Sequence, residues 1–218
     1  MKLILTGGTG YIDSAVLKRL VADTRITSIV ALSRRELPLQ DAKLQTIILK
    51  DFLHYDESTF QQLHGAEACL WCFGKATSGK EVHLDMTMAA VNALESSLLP
   101  MLKPGQVFKF VYLSGHLAEG DQTKSLLFLR GLRKLRGEVE NKFIAIQERH
   151  PHSWRSYVPR PSMVTNGEPL LSFAMGEIYI PVDELAAALV EVAVAGYEKE
   201  RIENDELRDT GTVALLKA

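Results

Sequence analysis

The sequence has no excess of one charge sign, few cysteines and no long apolar segment. Its 25 lysines and arginines are balanced by 27 aspartates and glutamates, for a net charge of -2, which argues against a nucleic-acid partner held by phosphate neutralisation. No apolar run reaches the roughly 18 residues that span a bilayer, so we expect no membrane span. The first residues, MKLILTGG, resemble a strand without a signal-peptide cleavage site, and we therefore expect a cytoplasmic protein.

The cysteine content excludes a disulfide scaffold. Cys69 and Cys72 form a C-x-x-C spacing within EACLWCF, a segment that is typical of a buried strand. Residues three apart in a strand point to opposite faces and lie about 10 Å apart, too far for a disulfide. A zinc site needs a second pair of ligands, and none follows. We predict two core thiols and no metal.

Short apolar runs alternate with longer segments of helical periodicity as far as about residue 160, which predicts repeated strand–helix units. The Val/Ile/Leu content of the runs indicates strands covered on both faces, as in a parallel sheet. The predicted fold class is therefore α/β, a doubly wound parallel sheet with helices on both faces. The predicted strands are Lys2–Thr6, Ser28–Leu32, Thr46–Leu49, Ala68–Phe73, Val107–Leu113 and Ser156–Val158, and the predicted helices are Tyr11–Ala22, Glu57–Leu63, Lys80–Met101 and Lys124–Arg149.

The pattern changes after Pro161, where a short strand, Glu177–Ile180, precedes an apolar helix that runs to about Tyr197. This tail is too short for an independent domain. We therefore predict one domain over residues 1–218, with the core sheet in 1–160 and a small cap in 161–218. The cap is expected to pack over the carboxyl end of the sheet and wall a pocket.

The first strand runs directly into a glycine-rich turn, TGGTGYIDS at residues 6–14, and then into a helix. Such a turn lets backbone N–H groups and the helix N-terminus approach a dinucleotide pyrophosphate. The turn resembles the T-G-x-x-G-x-x-G fingerprint of the extended and atypical short-chain dehydrogenase/reductase superfamily, in particular its small epimerase-like members. Further similarity follows each later strand, in Ser33-Arg34-Arg35, Asp51-Phe52, Phe73-Gly74, Tyr112-Leu113-Ser114-Gly115 and Arg160-Pro161.

The resemblance implies a Rossmann-like fold and cofactor contacts at Gly7 and Gly10. It also implies that Arg34 and Arg35 contact the 2′-phosphate of NADP, since no acidic residue ends the second strand to hold a ribose. The alternative is a solvated pair of arginines on a loop.

Asp13 stands where the fingerprint has its third glycine. At about 4 Å and an effective dielectric constant near 20, a carboxylate repels a phosphate charge by about 4 kcal/mol, which corresponds to about a 10³-fold loss of affinity. Asp13 is also a suitable residue for the N-terminal turn of a helix. Both interpretations are compatible, because a carboxylate that satisfies the helix takes the place of the phosphate.

The resemblance further implies a Tyr-x-x-x-Lys catalytic pair on the long helix after the fifth strand. The family pattern aligns Arg136 with the lysine and Leu132 with the tyrosine, and no tyrosine lies between Tyr112 and Tyr157. A leucine transfers no proton. The accompanying serine is retained as Ser114, but a hydroxyl alone is only a hydrogen-bonding group. The cofactor and catalytic motifs are therefore degenerate, and we expect a scaffold that has abandoned hydride transfer.

Candidate site groups follow the strands, where open α/β sheets place their ligands. Ser114 and His116, with Glu119, form the most reactive cluster, but no G-x-S-x-G turn supports a hydrolase. His116 is a candidate proton donor or, alternatively, an exposed loop residue, and Arg136 a candidate group for orienting substrate. The predicted substrate-binding residues, each also compatible with ordinary packing or a solvated surface, are Asp13, Trp71, Phe73, Leu132, Arg160, Met163 and Phe173.

These observations favour a cofactor-independent, non-redox enzyme of secondary metabolism that isomerises or cyclises a small apolar metabolite, by a pericyclic step among other routes. Its catalytic residues would be Ser114, His116 and Arg136. One alternative is an NADP(H)-dependent reductase that binds its cofactor through the glycine turn and the arginine pair. A second is a catalytically silent nucleotide sensor or interaction protein. By analogy, the two long helices are candidates for a homodimer interface.

Overall fold

The computed structural model describes residues 1–74, 78–167 and 178–217. Its strands and helices alternate along most of the chain, as the sequence predicts. The strands are β1 Lys2–Thr6, β2 Ser28–Ser33, β3 Leu44–Ile48, β4 Ala68–Trp71, β5 Phe108–Tyr112, β6 Trp154–Pro159, β7 Met163–Thr165, β8 Tyr179–Pro181 and β9 Arg201–Ile202. The α-helices are α1 Tyr11–Ala22, α2 Glu57–Leu63, α3 Thr87–Ser97, α4 Arg130–Arg149, α5 Val182–Ala195 and α6 Asn204–Leu216.

Seven strands form one parallel sheet in the order β3-β2-β1-β4-β5-β6-β9. Leu3 of β1 pairs with Ile29 of β2 on one side and with Ala68 of β4 on the other. The strand order therefore reverses at β1, and a crevice opens there at the carboxyl ends of the strands. The predicted fold class, a Rossmann-like doubly wound α/β sheet, is confirmed.

Helices cover both faces of the sheet, because side chains of a strand alternate between its faces. Leu3 and Leu5 of β1 pack into an apolar cluster with α1 and α5. Ile4 packs into a second cluster with α2, α3 and α4 on the opposite face. The glycine turn follows β1 at the carboxyl edge of the sheet, between these two layers.

Two predicted helices are shorter or less regular than the sequence indicates. The segment 80–101 divides into a π-helical stretch, Glu81–Met86, then α3, and a 3₁₀ turn at Leu99–Met101. The segment predicted as a helix from Lys124 is helical only from Arg130, because Leu129 has a left-handed backbone with φ of 49°. A left-handed residue lies outside the right-handed helical region, so the helix cannot extend through Leu129.

The C-terminal segment contributes to the core as well as to the edge of the sheet. Strand β9 joins the sheet beside β6, and α5 packs on the same face as α1. Helix α6 lies so close to α5 that a Cβ on Gly211 would collide with the backbone of Glu184. The sequence prediction missed α6, although Glu203 and Glu206 form the capping box that begins it. The described residues 178–217 of the predicted cap therefore add an edge strand and two helices to the main body of the fold.

Both cysteines are free thiols, one buried on β4 and one half-buried just after it. Burial raises the pKa of Cys69 and of Cys72, so neither is a reactive thiolate at neutral pH. The prediction of two core thiols is confirmed. Among the described residues, no helix is both long and apolar enough to cross a membrane.

Candidate active site

The glycine turn between β1 and α1 is held in a conformation that needs glycine. Gly7 and Gly8 have φ of 96° and 105°, values that side-chain-bearing residues rarely adopt. The Gly7 amide donates to Leu32 O of β2 at 3.1 Å, which ties the turn to the end of the neighbouring strand. The amides of the next residues are directed at Asp13.

The Asp13 carboxylate occupies the centre of this turn. Its Oδ2 accepts hydrogen bonds from the amides of Gly8 and Thr9, the latter at 3.2 Å, and the residue is only 8% exposed. A Cβ on Gly7 or Gly10 would collide with the carboxylate. Backbone amides at a helix N-terminus are the donors that a phosphate uses. The turn therefore has the donor set of an anion site, and the anion on it belongs to the chain itself.

Arg34 and Arg35 follow β2 at the same edge of the sheet. Both are exposed, and the hydrogen bond from Gly7 to the end of β2 places their loop beside the glycine turn. Guanidinium groups at this position are suited to a phosphate on the ribose end of a nucleotide. All four predicted cofactor contacts, Gly7, Gly10, Arg34 and Arg35, therefore lie at the carboxyl edge of the sheet, after β1 and β2.

Ser114 is engaged by a buried carboxylate. Its Oγ donates to Glu140 Oε1 at 2.5 Å, and Glu140 is fully buried. Arg160 also donates to Glu140, with Nε at 3.1 Å from both oxygens, and Arg201 Nε lies 3.3 Å away. Burial disfavours the charged form of Arg160, but its hydrogen bonds and ion pair with Glu140 outweigh this and raise its pKa. Ser114 was predicted to be catalytic and Arg160 to bind substrate. In the structure, both side chains are hydrogen-bonded to the buried Glu140 carboxylate.

A cavity of about 350 Å³ opens next to this network. It brings together four residues that the sequence singles out, namely His116, Leu132, Arg136 and Met163. Ser114, Asp13, Arg160, Trp71 and Phe73 do not line it. Its lining residues are Gly115, His116, Leu117, Ala118, Leu129, Leu132, Arg133, Arg136, Pro161, Ser162, Met163 and Ile178.

The arginine and histidine side chains of the cavity come from α4 and from the loop after β5. Arg136 packs over Gly115 so tightly that a Cβ there would collide with its Nη1. His116 is half-exposed, and its Nδ1 lies 3.9 Å from Glu203 Oε2. Arg133 also lines the cavity, beside Arg136, and is not among the residues predicted from the sequence. Its position three residues before Arg136 on the same helix was the available signal.

Two of the predicted apolar contacts belong to the core instead. Trp71 is 1% exposed, and its indole Nε1 donates to Thr87 Oγ1 at 2.9 Å. Phe73 stacks on Phe52 with ring centroids 4.2 Å apart. Both rings are held by neighbouring aromatic residues on the α3 side of the sheet, so neither reaches the cavity. Phe173 lies outside the described residues.

Comparison with known proteins by sequence gives one partial match. No family model matches the chain. The chain is 30% identical over 122 residues to leucinostatins biosynthesis cluster protein T of Purpureocillium lilacinum. The match covers 52% of this chain and 42% of that protein, so the chain spans less than half of the relative's length.

Comparison by structure gives matches over almost the whole chain. dTDP-glucose 4,6-dehydratase of Bacillus anthracis in complex with NAD has a TM-score of 0.67 at 11% identity, with 100% of this chain and 82% of that chain covered. Gre2 of Candida albicans in complex with NADPH has a TM-score of 0.64 at 16% identity, with 93% and 77% covered. The resemblance to the extended short-chain dehydrogenase/reductases is therefore confirmed at the level of the fold.

These matches contradict the expectation that no cofactor is bound. Proteins that share the fold were solved with NAD and with NADPH, and open sheets of this kind bind the nucleotide at the reversal of strand order. The expectation relied on Asp13 and on the loss of the catalytic pair at Leu132 and Arg136. A carboxylate on a rotatable side chain is not a permanent obstacle to a nucleotide, and the loss of the catalytic pair leaves the glycine turn in place. The cofactor-free prediction is therefore wrong.

Proposed function

We propose that the chain is an NADP(H)-binding oxidoreductase-like protein of secondary metabolism, with its substrate in the cavity beside α4. The observation that carries the proposal is the anion-binding donor set at Gly8 and Thr9, on the strand edge that also bears Arg34 and Arg35. The likeness to the leucinostatin cluster protein supports the metabolic setting.

The residues at this edge fit a nucleotide on one condition. The amides that would hold the pyrophosphate are used by Asp13, so its side chain must rotate away for the nucleotide to bind. The bond from Gly7 N–H to Leu32 O does not involve the carboxylate, so it still ties the turn to β2 when the Asp13 side chain rotates. Arg34 and Arg35 then favour the nucleotide that carries a 2′-phosphate.

The cavity supplies groups that can orient a substrate and move a proton. When bound, the nucleotide supplies or accepts hydride. His116 is the titratable side chain at the wall with an acid–base partner nearby, Glu203 at 3.9 Å, and we assign it the proton-donor role that Leu132 cannot fill. Arg136 orients a substrate oxygen through its planar set of N–H donors.

Nucleotide titration tests the proposal directly. Fluorescence titration of the purified chain with NADPH should saturate, and NADH should bind about tenfold more weakly, since Arg34 and Arg35 contact only the 2′-phosphate. Absence of saturable binding by NADPH, both in the wild-type chain and in Asp13→Gly, would contradict the proposal.

Turnover separates the role of His116 from simple binding. NADPH consumption is followed at fixed nucleotide with a panel of apolar aldehydes and enones. His116→Ala should lower the rate by about 10²-fold or more without changing NADPH affinity. The matched control is His54→Ala, because His54 is exposed and pairs with Asp51 away from the cavity. Equal rates in the two variants would remove His116 from the reaction.

A second candidate is a non-redox isomerisation or cyclisation with the nucleotide bound but not consumed. Leu132 favours it, because it lines the cavity where the family pattern has the proton-transferring tyrosine. The two candidates differ in stoichiometry. A product of unchanged mass with no loss of NADPH identifies the second, and one NADPH oxidised per product molecule identifies the first.

A further inference from the structure

The charged side chains in the described lining of the cavity are of one sign. Its described lining contains Arg133 and Arg136 and no aspartate or glutamate. Arg133 is fixed in place, with Nε donating to Leu117 O at 2.8 Å and its guanidinium 5.0 Å from the Phe128 ring centroid. The Glu203 carboxylate, 3.9 Å from His116, is already engaged, because it accepts a hydrogen bond from Arg160 at 3.1 Å. A cavity of this kind favours a ligand that carries negative charge.

Apart from His116 and Ser162, the rest of the described wall is apolar, and it reaches the surface. Leu129, Met163 and Ile178 line the cavity although each is about half-exposed. Clustered exposed apolar side chains of this kind mark ligand sites more often than ordinary surface. The volume of about 350 Å³ lies near the lower end of the range for small-molecule sites. The cavity therefore has room for a chain of medium length.

We propose that this cavity takes an amphipathic acid of medium chain length, with its carboxylate at Arg136 and Arg133 and its apolar chain along Leu129, Met163 and Ile178. Guanidinium groups bind carboxylates through paired N–H donors, and the apolar wall buries the chain. The inference rests on the proposed function in that it takes the cavity as the substrate site. It extends that function from an apolar metabolite to one with an acidic end.

Matched eight-carbon probes test the charge requirement. Isothermal titration calorimetry of the nucleotide-free protein with octanoate, octan-1-ol and octylammonium should give affinities in that order. We expect octanoate to bind at least tenfold more tightly than octan-1-ol. Equal affinities for octanoate and octan-1-ol, or no binding of any of the three, would overturn the proposal.

Three variants locate the charge. Arg136→Met should weaken octanoate binding about tenfold and leave octan-1-ol unchanged. Met163→Asp, a change at a half-exposed position of the rim, should weaken octanoate binding and strengthen octylammonium binding, in protein that circular dichroism shows to be folded. Arg130→Met is the control, because Arg130 begins the same helix but is exposed and does not line the cavity. If Arg130→Met lost as much octanoate affinity as Arg136→Met, the loss would come from the change in net charge. That result would overturn the assignment of the carboxylate to Arg136.

The same protein is titrated with NADPH in the absence of the eight-carbon probes. NADPH binding without octanoate preference refutes the acidic-ligand inference and leaves the proposed function standing. Preferential octanoate binding without NADPH binding refutes the proposed function and leaves the acidic-ligand inference standing.

Discussion

Removing the Asp13 carboxylate should increase nucleotide affinity. In Asp13→Gly the fingerprint glycine is restored, and the amides of Gly8 and Thr9 lose the acceptor that now holds them. A carboxylate about 4 Å from a phosphate charge, at an effective dielectric constant near 20, costs about 4 kcal/mol. Asp13 escapes part of this cost by rotating away, so we expect NADPH to bind between about 10-fold and 1000-fold more tightly in the variant.

The assay is NADPH fluorescence titration of three proteins at one ionic strength. Asp13→Asn is the matched control, because it keeps the size and an acceptor oxygen but removes the charge. Its affinity should fall between those of the wild-type chain and Asp13→Gly. If all three proteins bind NADPH equally and circular dichroism shows them folded, the carboxylate does not compete with the nucleotide and the reasoning fails.

Three further changes test the fold and the specificity. Arg34→Gln with Arg35→Gln should weaken NADPH about tenfold and leave NADH unchanged in fluorescence titration, because only NADPH offers a 2′-phosphate; an equal loss for both nucleotides would contradict this contact. Glu140→Ala should lower the free energy of unfolding in urea by about 3 kcal/mol, since its arginine partners lose a fully buried carboxylate, whereas Glu138→Ala, at a half-exposed carboxylate of the same helix, should change it little. Gly137→Ala should lower the melting temperature, with a cost of about 1–3 kcal/mol, because a Cβ there collides with the backbone of the loop after β5; an unchanged melting temperature would show that the loop yields freely.

The sequence predicts the elements whose signals are local. Helix α1 and helix α2 have the predicted bounds, since each follows a clear turn and carries an apolar face. Helix α4 begins six residues later than predicted, because the apolar run before Arg130 has helical composition but no cap. Strands β7 and β9 have three and two residues, too few for a periodicity to appear. They exist because the neighbouring strand offers hydrogen bonds, which is tertiary information.

The candidate site was only partly predictable for the same reason. His116, Leu132 and Arg136 were found because each stands next to a strand end or at a family position. The engagement of Ser114 by Glu140 joins residues 26 positions apart, and no local pattern indicates that this carboxylate is fully buried. Likewise, Ile178 lines the cavity through the pairing of β7 with β8.

The aspartate at position 13, in place of the fingerprint glycine, separates the stability of the turn from nucleotide binding. In a turn that binds pyrophosphate, the backbone amides have no acceptor within the protein until the nucleotide binds. Nucleotide binding then increases the stability of the folded state. Here Gly8 and Thr9 are satisfied by the chain itself, so the turn is complete when no nucleotide is bound. Asp13→Gly should therefore be less stable than the wild-type chain without nucleotide, by about 1–3 kcal/mol for the lost acceptor. Saturating NADPH should stabilise the variant more than the wild type. Thermal unfolding with and without NADPH measures both differences, and a variant that is as stable as the wild type without nucleotide would show that the carboxylate contributes nothing to the turn.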